Sequence, residues 1–334
     1  AKMGQWWIEE PQRALANNSV CYTEKPDMGI FMREFLSLYD SKSGERGIFN
    51  RTAAKKMAPE RRDNSYEFGC NPCSEVILRS CGLCNLSEVI LRPDDTIAII
   101  KKKIRHATIL GTYQSTLTNF RYVRPVWKKN AEEERLLGVS LTGIFDCLEI
   151  SSATPDLLEE LKQVAVKTNK EYANKLGINQ SVAVTCVKPS GTVSQVAGVS
   201  GSGLHASYSD YYIRRVPYIV DPYNPEALVF EFPMRAPKNS VTRHKVTALE
   251  HLEIWKRFAV HWSEHKPSVT IYTGEDEWLE VGAWLYKNFD ILSGISILPK
   301  ADEDHSYEAT PYEEITMLEY NDMFKKFPKQ PIDW

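Results

Sequence analysis

Between Thr154 and Leu298 the sequence switches repeatedly between two periodicities, and that alternation limits the fold more than any single motif. Thr154 and Pro155 open an amphipathic stretch running from about Asp156 to Leu176 and stopping at Gly177, the pattern of a helix with a hydroxyl cap, an early proline and a glycine terminator. Ser181 to Val187, S-V-A-V-T-C-V, follows as an apolar, β-branched strand. The order then repeats, with Thr247 to Glu264 as helix, Ser268 to Tyr272 as strand, Asp276 to Asn288 as helix and Gly294 to Leu298 as strand. Earlier, Gly29 to Tyr39 has helical spacing, Gly47 to Asn50 is a short run, and a long helical segment opens at Arg92 to Asp95 and reaches about Leu117. Strands separated by helices predict parallel pairing through helical crossovers, hence an α/β fold. No fixed-period repeat or low-complexity linker divides the chain.

The bulk properties narrow the function classes. The 334 residues are 43% hydrophobic and 25% charged, ordinary globular material, and a formal net charge of -3 gives no electrostatic reason to expect nucleic-acid or membrane binding. Neither a leader pattern nor an apolar run long enough to span a bilayer is present, which predicts a cytoplasmic protein. In a reducing compartment an odd set of seven cysteines points to metal ligation or redox chemistry rather than a disulfide framework.

Four of those cysteines, Cys70, Cys73, Cys81 and Cys84, fall in F-G-C-N-P-C-S-E-V-I-L-R-S-C-G-L-C-N-L-S. The spacing C-x2-C-x7-C-x2-C has the form of a tetrahedral zinc site. The intervening V-I-L, and the near-copy S-E-V-I-L after the second pair, equally describe two short strands each preceded by a cysteine. Plain burial as small hydrophobes is a third reading for Cys70 and Cys81. In extended backbone Asn71, Cys73 and Glu75 face one side, so an amide, a thiol and a carboxylate would converge on one small substrate, with Pro72 stiffening the approach.

N-P-C-x-E followed by C-N-L-S-E resembles the active-site loop of ribonucleotide reductases. The resemblance extends in order through A-N-N-S (Ala16 to Ser19), S-G-E-R-G-I-F-N-R (Ser43 to Arg51), G-T-Y-Q-S-T-L-T-N-F (Gly111 to Phe120), K-P-S-G-T-V-S-Q (Lys188 to Gln195) and H-A-S-Y-S-D-Y-Y-I-R-R-V (His205 to Val216). The chain is most similar to the adenosylcobalamin-dependent class II branch, in particular its monomeric triphosphate-reducing type.

The resemblance implies the second half of a ten-stranded α/β barrel, a parallel half-barrel with a central active-site loop. Residues 1–334 would form one incomplete catalytic domain, with the loop region over residues 60–90 and the phosphate-binding segment and C-terminal strands over residues 180–334. It implies that Cys73 becomes a thiyl radical that takes the ribose 3'-hydrogen, with adenosylcobalamin as the radical source. Glu75 is then the general base for the 3'-hydroxyl, Asn71 orients the sugar, and Cys84 is one half of the reducing dithiol. Pro189, Ser190, Gly191, Thr192 and Val193 are implied to bind the phosphates of a ribonucleoside di- or triphosphate. The same stretch reads physically as strand, turn and helix start, with backbone N–H groups and two hydroxyls at a helix N-terminus, or more plainly as a hydroxyl-capped turn.

The resemblance further implies an absent N-terminal half carrying the partner of Cys84, an absent redox tail, complementation by another chain, and a thioredoxin-like or small dithiol reductant. No resident metal is expected. A non-catalytic scaffold or nucleotide-binding protein of the same fold, with the four cysteines on zinc, is the alternative, and a local Cys81–Cys84 dithiol is a third.

Overall fold

A computed structural model describes residue 12 and residues 19–41, 47–199, 201–221, 224–238, 240–300 and 312–326, with side chains described outside 216–229. The motif residues Ala16 to Asn18 and Ser43 to Arg46 therefore lie outside the described residues. In chain order the strands are β1 (Val20–Tyr22), β2 (Gly47–Asn50), β3 (Phe68–Cys70), β4 (Ile77–Arg79), β5 (Asn85–Ile90), β6 (Leu137–Thr142), β7 (Tyr211–Asp221), β8 (Asn224–Arg235), β9 (Thr270–Thr273), β10 (Gly294–Pro299) and β11 (Tyr312–Glu314). The main helices are α1 (Met28–Ser41), α2 (Arg51–Lys56), α3 (Ile97–Gln114), α4 (Pro125–Glu134), α5 (Pro155–Leu176), α6 (Gly191–Val196), α7 (Ala248–His261), α8 (Trp278–Lys287) and α9 (Met317–Lys326).

The parallel pairing expected from the alternation is present, in the half-barrel that the resemblance implies. β5 pairs parallel with β6, and β9 pairs parallel with β10. Residues 183–187 fill the gap between them, bridging in parallel to Val139 on one side and to Pro267 on the other. The expected strand over Ser181 to Val187 is thus an extended segment held by isolated bridges. Its Ser181 end turns away to hydrogen-bond its own neighbourhood, with Ser181 N donating to Asn169 Oδ1 at 2.9 Å. β10 continues antiparallel onto β2, and β2 runs parallel to β1.

The helices form where the sequence pattern places them, with differences set by caps. Thr154 accepts from Leu157 N, Pro155 occupies the first turn, and Gly177 closes α5 with φ 66°, a left-handed value that favours glycine. Thr247 and Glu250 form a reciprocal capping box on α7. The helix expected to open at Arg92 begins five residues later. Asp95 turns back to accept from Arg92 N at 2.8 Å, and Thr96 supplies the cap.

The buried faces of α1, α3, α5, α7 and α8 meet the parallel strands in one hydrophobic core that includes Leu91, Ile104, Val139, Leu158, Trp255, Trp262, Ile271 and Leu285. The antiparallel hairpin of β7 and β8, which β11 joins along β7, was not expected from sequence. The signal was legible, since the hairpin segment is rich in tyrosine, valine, isoleucine and phenylalanine.

Candidate active site

The cysteine-rich stretch forms a finger. β3 and β4 pair antiparallel, with Cys70 opposite Ile77, and residues 71–76 make the tip. Two backbone bonds close it, Ser74 N to Asn71 O at 2.8 Å and Asn71 N to Val76 O at 3.3 Å. Ser74 sits at φ 66°, so the tip is not extended and the expected alternation of residues 71, 73 and 75 fails. Asn71 spends its side-chain oxygen on Val76 N, at 3.0 Å, holding the loop. Cys73 is exposed at the tip, whereas Glu75 is 0% exposed.

The finger stands on a buried charge network. Arg62 Nη2 pairs with Glu134 Oε1 at 2.9 Å, Arg79 Nε lies 3.3 Å from Glu134 Oε2, and Arg79 Nη2 is 2.6 Å from Glu133. Arg62 also donates to Ile77 O, and Asn130 Nδ2 donates to Ser80 O and Cys81 O. The network ties β4 and the two residues after it to α4.

Behind the tip, Glu75 Oε1 lies 3.2 Å from Lys188 Nζ. Its other oxygen, Oε2, is buried with no hydrogen-bond partner, leaving an unsatisfied acceptor. Burial and the neighbouring Glu75 both raise the Cys73 thiol above its ordinary range, while Lys188 pulls it down. Cys84, immediately before β5, is pushed up by burial and again by Glu75. Cys73, Glu75 and Cys84 are therefore brought into one electrostatic neighbourhood, with Lys188 as its cation. Burial works against the Lys188 charge, and the pairing with Glu75 outweighs it, so the ammonium is held above its ordinary value.

Lys188 leads into the Pro-Ser-Gly-Thr turn, which opens α6 at Gly191 as expected. The hydroxyls are arranged differently from expectation. Ser190 Oγ points inward to Thr142 Oγ1 at 3.1 Å, so it does not face outward from the helix start. Gly191, Thr192 and Val193 are exposed, and Pro189 lines a cavity of about 210 Å³ together with Ser19, Cys73, His205, Lys266, Ser268 and Thr270.

The other cysteines diverge. Cys70 accepts from Ser74 Oγ at 3.4 Å, and Cys81 sits at φ 57° against Arg124 Nη2 at 3.0 Å. Among the described residues no group of three or more His, Cys, Asp or Glu is placed to hold a metal, so the geometry gives the zinc clamp no support.

Three participants escaped the sequence reading. Lys188 is read there only as the first residue of the K-P-S-G-T-V-S-Q motif, and Lys266 is not singled out. Glu88 repeats Glu75 in the two S-E-V-I-L copies; burial pushes it up to about 7, and Ser140 Oγ donates to it at 2.8 Å. Gly138 of β6 lies between two thiols, since a Cβ there would stand 3.2 Å from Cys186 Sγ and 3.3 Å from Cys84 Sγ.

No family model matches the chain. It is 27% identical over 359 residues to the probable adenosylcobalamin-dependent ribonucleoside-triphosphate reductase of Dictyostelium discoideum, covering 97% of this chain and 45% of that protein. It is 30% identical over 315 residues to the Euglena gracilis adenosylcobalamin-dependent ribonucleoside-triphosphate reductase, covering 85% of this chain and 42% of that protein. A crystal structure of a B12-dependent class II ribonucleotide reductase superposes with TM-score 0.73 at 22% identity, over 96% of this chain and 52% of the other. A class Id ribonucleotide reductase alpha subunit from Actinobacillus ureae follows at TM-score 0.59 and 13% identity, over 85% of this chain and 65% of the other. The chain spans a little under half the length of the curated relatives it matches. It is a sequence relative of the adenosylcobalamin-dependent ribonucleoside-triphosphate reductases, and its fold is that of part of the class II reductase α/β barrel.

Proposed function

We propose that this chain carries the radical loop and phosphate-binding turn of an adenosylcobalamin-dependent enzyme that reduces ribonucleotides to deoxyribonucleotides. The observation that carries the reading is the Glu75 carboxylate, with one oxygen on Lys188 at 3.2 Å and the other without a partner, set behind the exposed thiol of Cys73. A buried acceptor left open beside a reactive sulfur is the geometry a general base needs to receive a substrate hydroxyl.

The cavity beside Cys73 suits the nucleoside end of the cofactor. At about 210 Å³, with hydroxyls from Ser19, Ser268 and Thr270 on its wall, it has room for an adenosyl-sized group and none for a corrin. When bound, adenosylcobalamin supplies the radical that this chain's own side chains cannot generate.

The chain's residues then divide the remaining work. Cys73 Sγ removes the hydrogen from the ribose 3'-carbon and later returns one. Glu75 Oε2 accepts the 3'-hydroxyl proton, held in place through Lys188, and the 2'-hydroxyl departs as water with a proton given by the reducing thiol pair. Cys84 contributes one of the two thiols whose oxidation supplies the electrons. Asn71 acts on the sugar through the loop it holds closed, with its side-chain nitrogen as the contacting group. Thr192 and Val193 present backbone N–H groups to the substrate phosphates, while Gly191, whose own N–H donates to Pro189 O at 2.8 Å, shapes the turn with Pro189 and the inward-turned Ser190. The second thiol, an N-terminal half supplied elsewhere, and a thioredoxin-like or small dithiol reductant belong to the same proposal. Reduction of CTP and CDP in the presence of adenosylcobalamin and dithiothreitol, by the chain together with the remaining half of the barrel, tests it. Turnover abolished by Cys73→Ser supports the reading, and turnover indifferent to that change refutes it.

A further inference from the structure

Lys266 is 1% exposed, yet its side chain lines the cavity beside Cys73. Lysine is seldom buried without a counter-ion, because desolvating an ammonium is costly unless a partner repays it. Here the backbone is committed, with Lys266 N donating to Glu75 O at 3.3 Å and Lys266 O accepting from Val187 N at 3.3 Å. The amine has no hydrogen-bond or ion-pair partner among the described residues, in contrast to Lys188, whose Nζ is on Glu75. The space it occupies is kept open by Gly294, where a Cβ would come within 2.8 Å of Lys266 Cε and 3.0 Å of Nζ. The groups that bear on the amine are Cys70 of β3 and Glu75 of the loop, both favouring its charge, and burial, which lowers it to about 8. His205 also lines the cavity; its Nε2 accepts from Thr270 N at 3.0 Å, and burial lowers its pKa from the ordinary histidine value.

We propose that Lys266 is a ligand-positioning residue whose amine donates a hydrogen bond to an acceptor atom of a purine nucleoside seated in this cavity. The inference rests on the reading of the cavity as the place of the adenosyl group. A neutral, acceptor-rich nucleoside suits the site better than an inorganic anion, because Lys266 has no second Lys or Arg beside it among the lining residues, which otherwise mix hydroxyls with Cys73, His205 and the apolar Pro72, Pro189, Val269 and Ile295, and the nearby Glu75 carboxylate repels negative charge. A ring nitrogen or ribose oxygen meeting the buried amine supplies the partner that the protein withholds, and fixes the nucleoside relative to Cys73 at the cavity mouth.

The test uses the full-length protein and 5'-deoxyadenosine, with inorganic phosphate as the competing probe. Binding is followed by calorimetry and by the 13C shift of the Lys266 ε-methylene in lysine-labelled protein. The expected result is that the nucleoside, and not phosphate, shifts that signal. Lys266→Met should weaken nucleoside binding about tenfold to hundredfold, as loss of a hydrogen bond from a charged donor does. Gly294→Ala, which keeps the lysine and displaces its amine, should also weaken binding. Equal nucleoside binding by wild type and Lys266→Met, or a Lys266 signal that moves with phosphate instead, would overturn the inference. Failure of wild type to bind the nucleoside while adenosylcobalamin-dependent turnover persists would overturn the inference alone, and loss of both would remove the functional reading beneath it.

Discussion

At the scale of single residues, the chemistry is concentrated in side chains that the barrel holds in unequal environments. Cys73 is exposed and Glu75 is not, although two positions separate them, because Ser74 adopts φ 66° and turns the chain between them. The sequence motif N-P-C-S-E was enough to single out the thiol and the carboxylate. It was not enough to give the loop its shape, since a left-handed serine leaves no mark in composition or periodicity. Lys188 was likewise invisible as a partner of Glu75, being 113 residues away. Glu75→Gln should lower turnover by about a hundredfold to ten-thousandfold, the usual contribution of a general base, with nucleotide binding retained when measured by calorimetry. The buried histidines give a separate expectation for stability. Burial holds His251 down at about 4, despite the bond from Nε2 to Leu204 O, and His265 down at about 3, with Arg62 adding to the effect. Each is lowered from an ordinary 6.5, so the unfolded chain takes up protons before the folded one does. Their contribution is complete above about pH 6.5 and is lost as the pH falls toward 3. Urea midpoints should therefore decline steadily below pH 6.5, and His265→Gln should flatten that decline if it folds.

At the scale of elements, the helices were readable and the irregular strands were not. α5 is bounded by Thr154, Pro155 and Gly177 as the sequence reading places it, because each cap is a local interaction written within three or four residues. Residues 183–187 form a barrel strand only through neighbours supplied by β6 and by the segment entering β9, and such long-range pairing has no local signature. The finger hairpin depends on equally distant groups. Glu134 on α4 receives both Arg62 and Arg79, and removing it takes the counter-charge from the buried Arg62 and leaves Arg79 with Glu133 alone. Glu134→Ala should cost about 3–5 kcal/mol in denaturant unfolding, the range for breaking one side of a buried ion network, and should loosen the Cys73 loop. Gly138 is the corresponding point on β6. A Cβ there meets Leu86 Cδ2 below contact distance and lies against both Cys84 and Cys186. Gly138→Ala should destabilise the barrel by about 1–3 kcal/mol, as overpacking does, and should alter the rate at which Cys84 reacts with thiol reagents.

At the scale of the whole molecule, five parallel segments, β5, β6, residues 183–187, the strand reaching β9, and β10, wrap the finger and carry Cys84, Lys188 and Lys266 inward toward it. β10 then meets β2 antiparallel, so two sets of strands of opposite sense join beside the finger. Sequence alternation alone led to an α/β fold. The barrel was reached through motif resemblance, and the class II superposition agrees with it over nearly the whole chain. No helix among the described residues is long and apolar enough to cross a membrane. The central claim, that Cys73 at the finger tip is the radical thiol of a ribonucleotide reductase, is tested most directly by conversion of CTP to its deoxy form with adenosylcobalamin and dithiothreitol. The assay pairs this chain with the rest of the barrel and compares wild type with Cys73→Ser. The account predicts cofactor-dependent product from wild type and none from Cys73→Ser at equal folded protein. Product formed equally well by Cys73→Ser would contradict it.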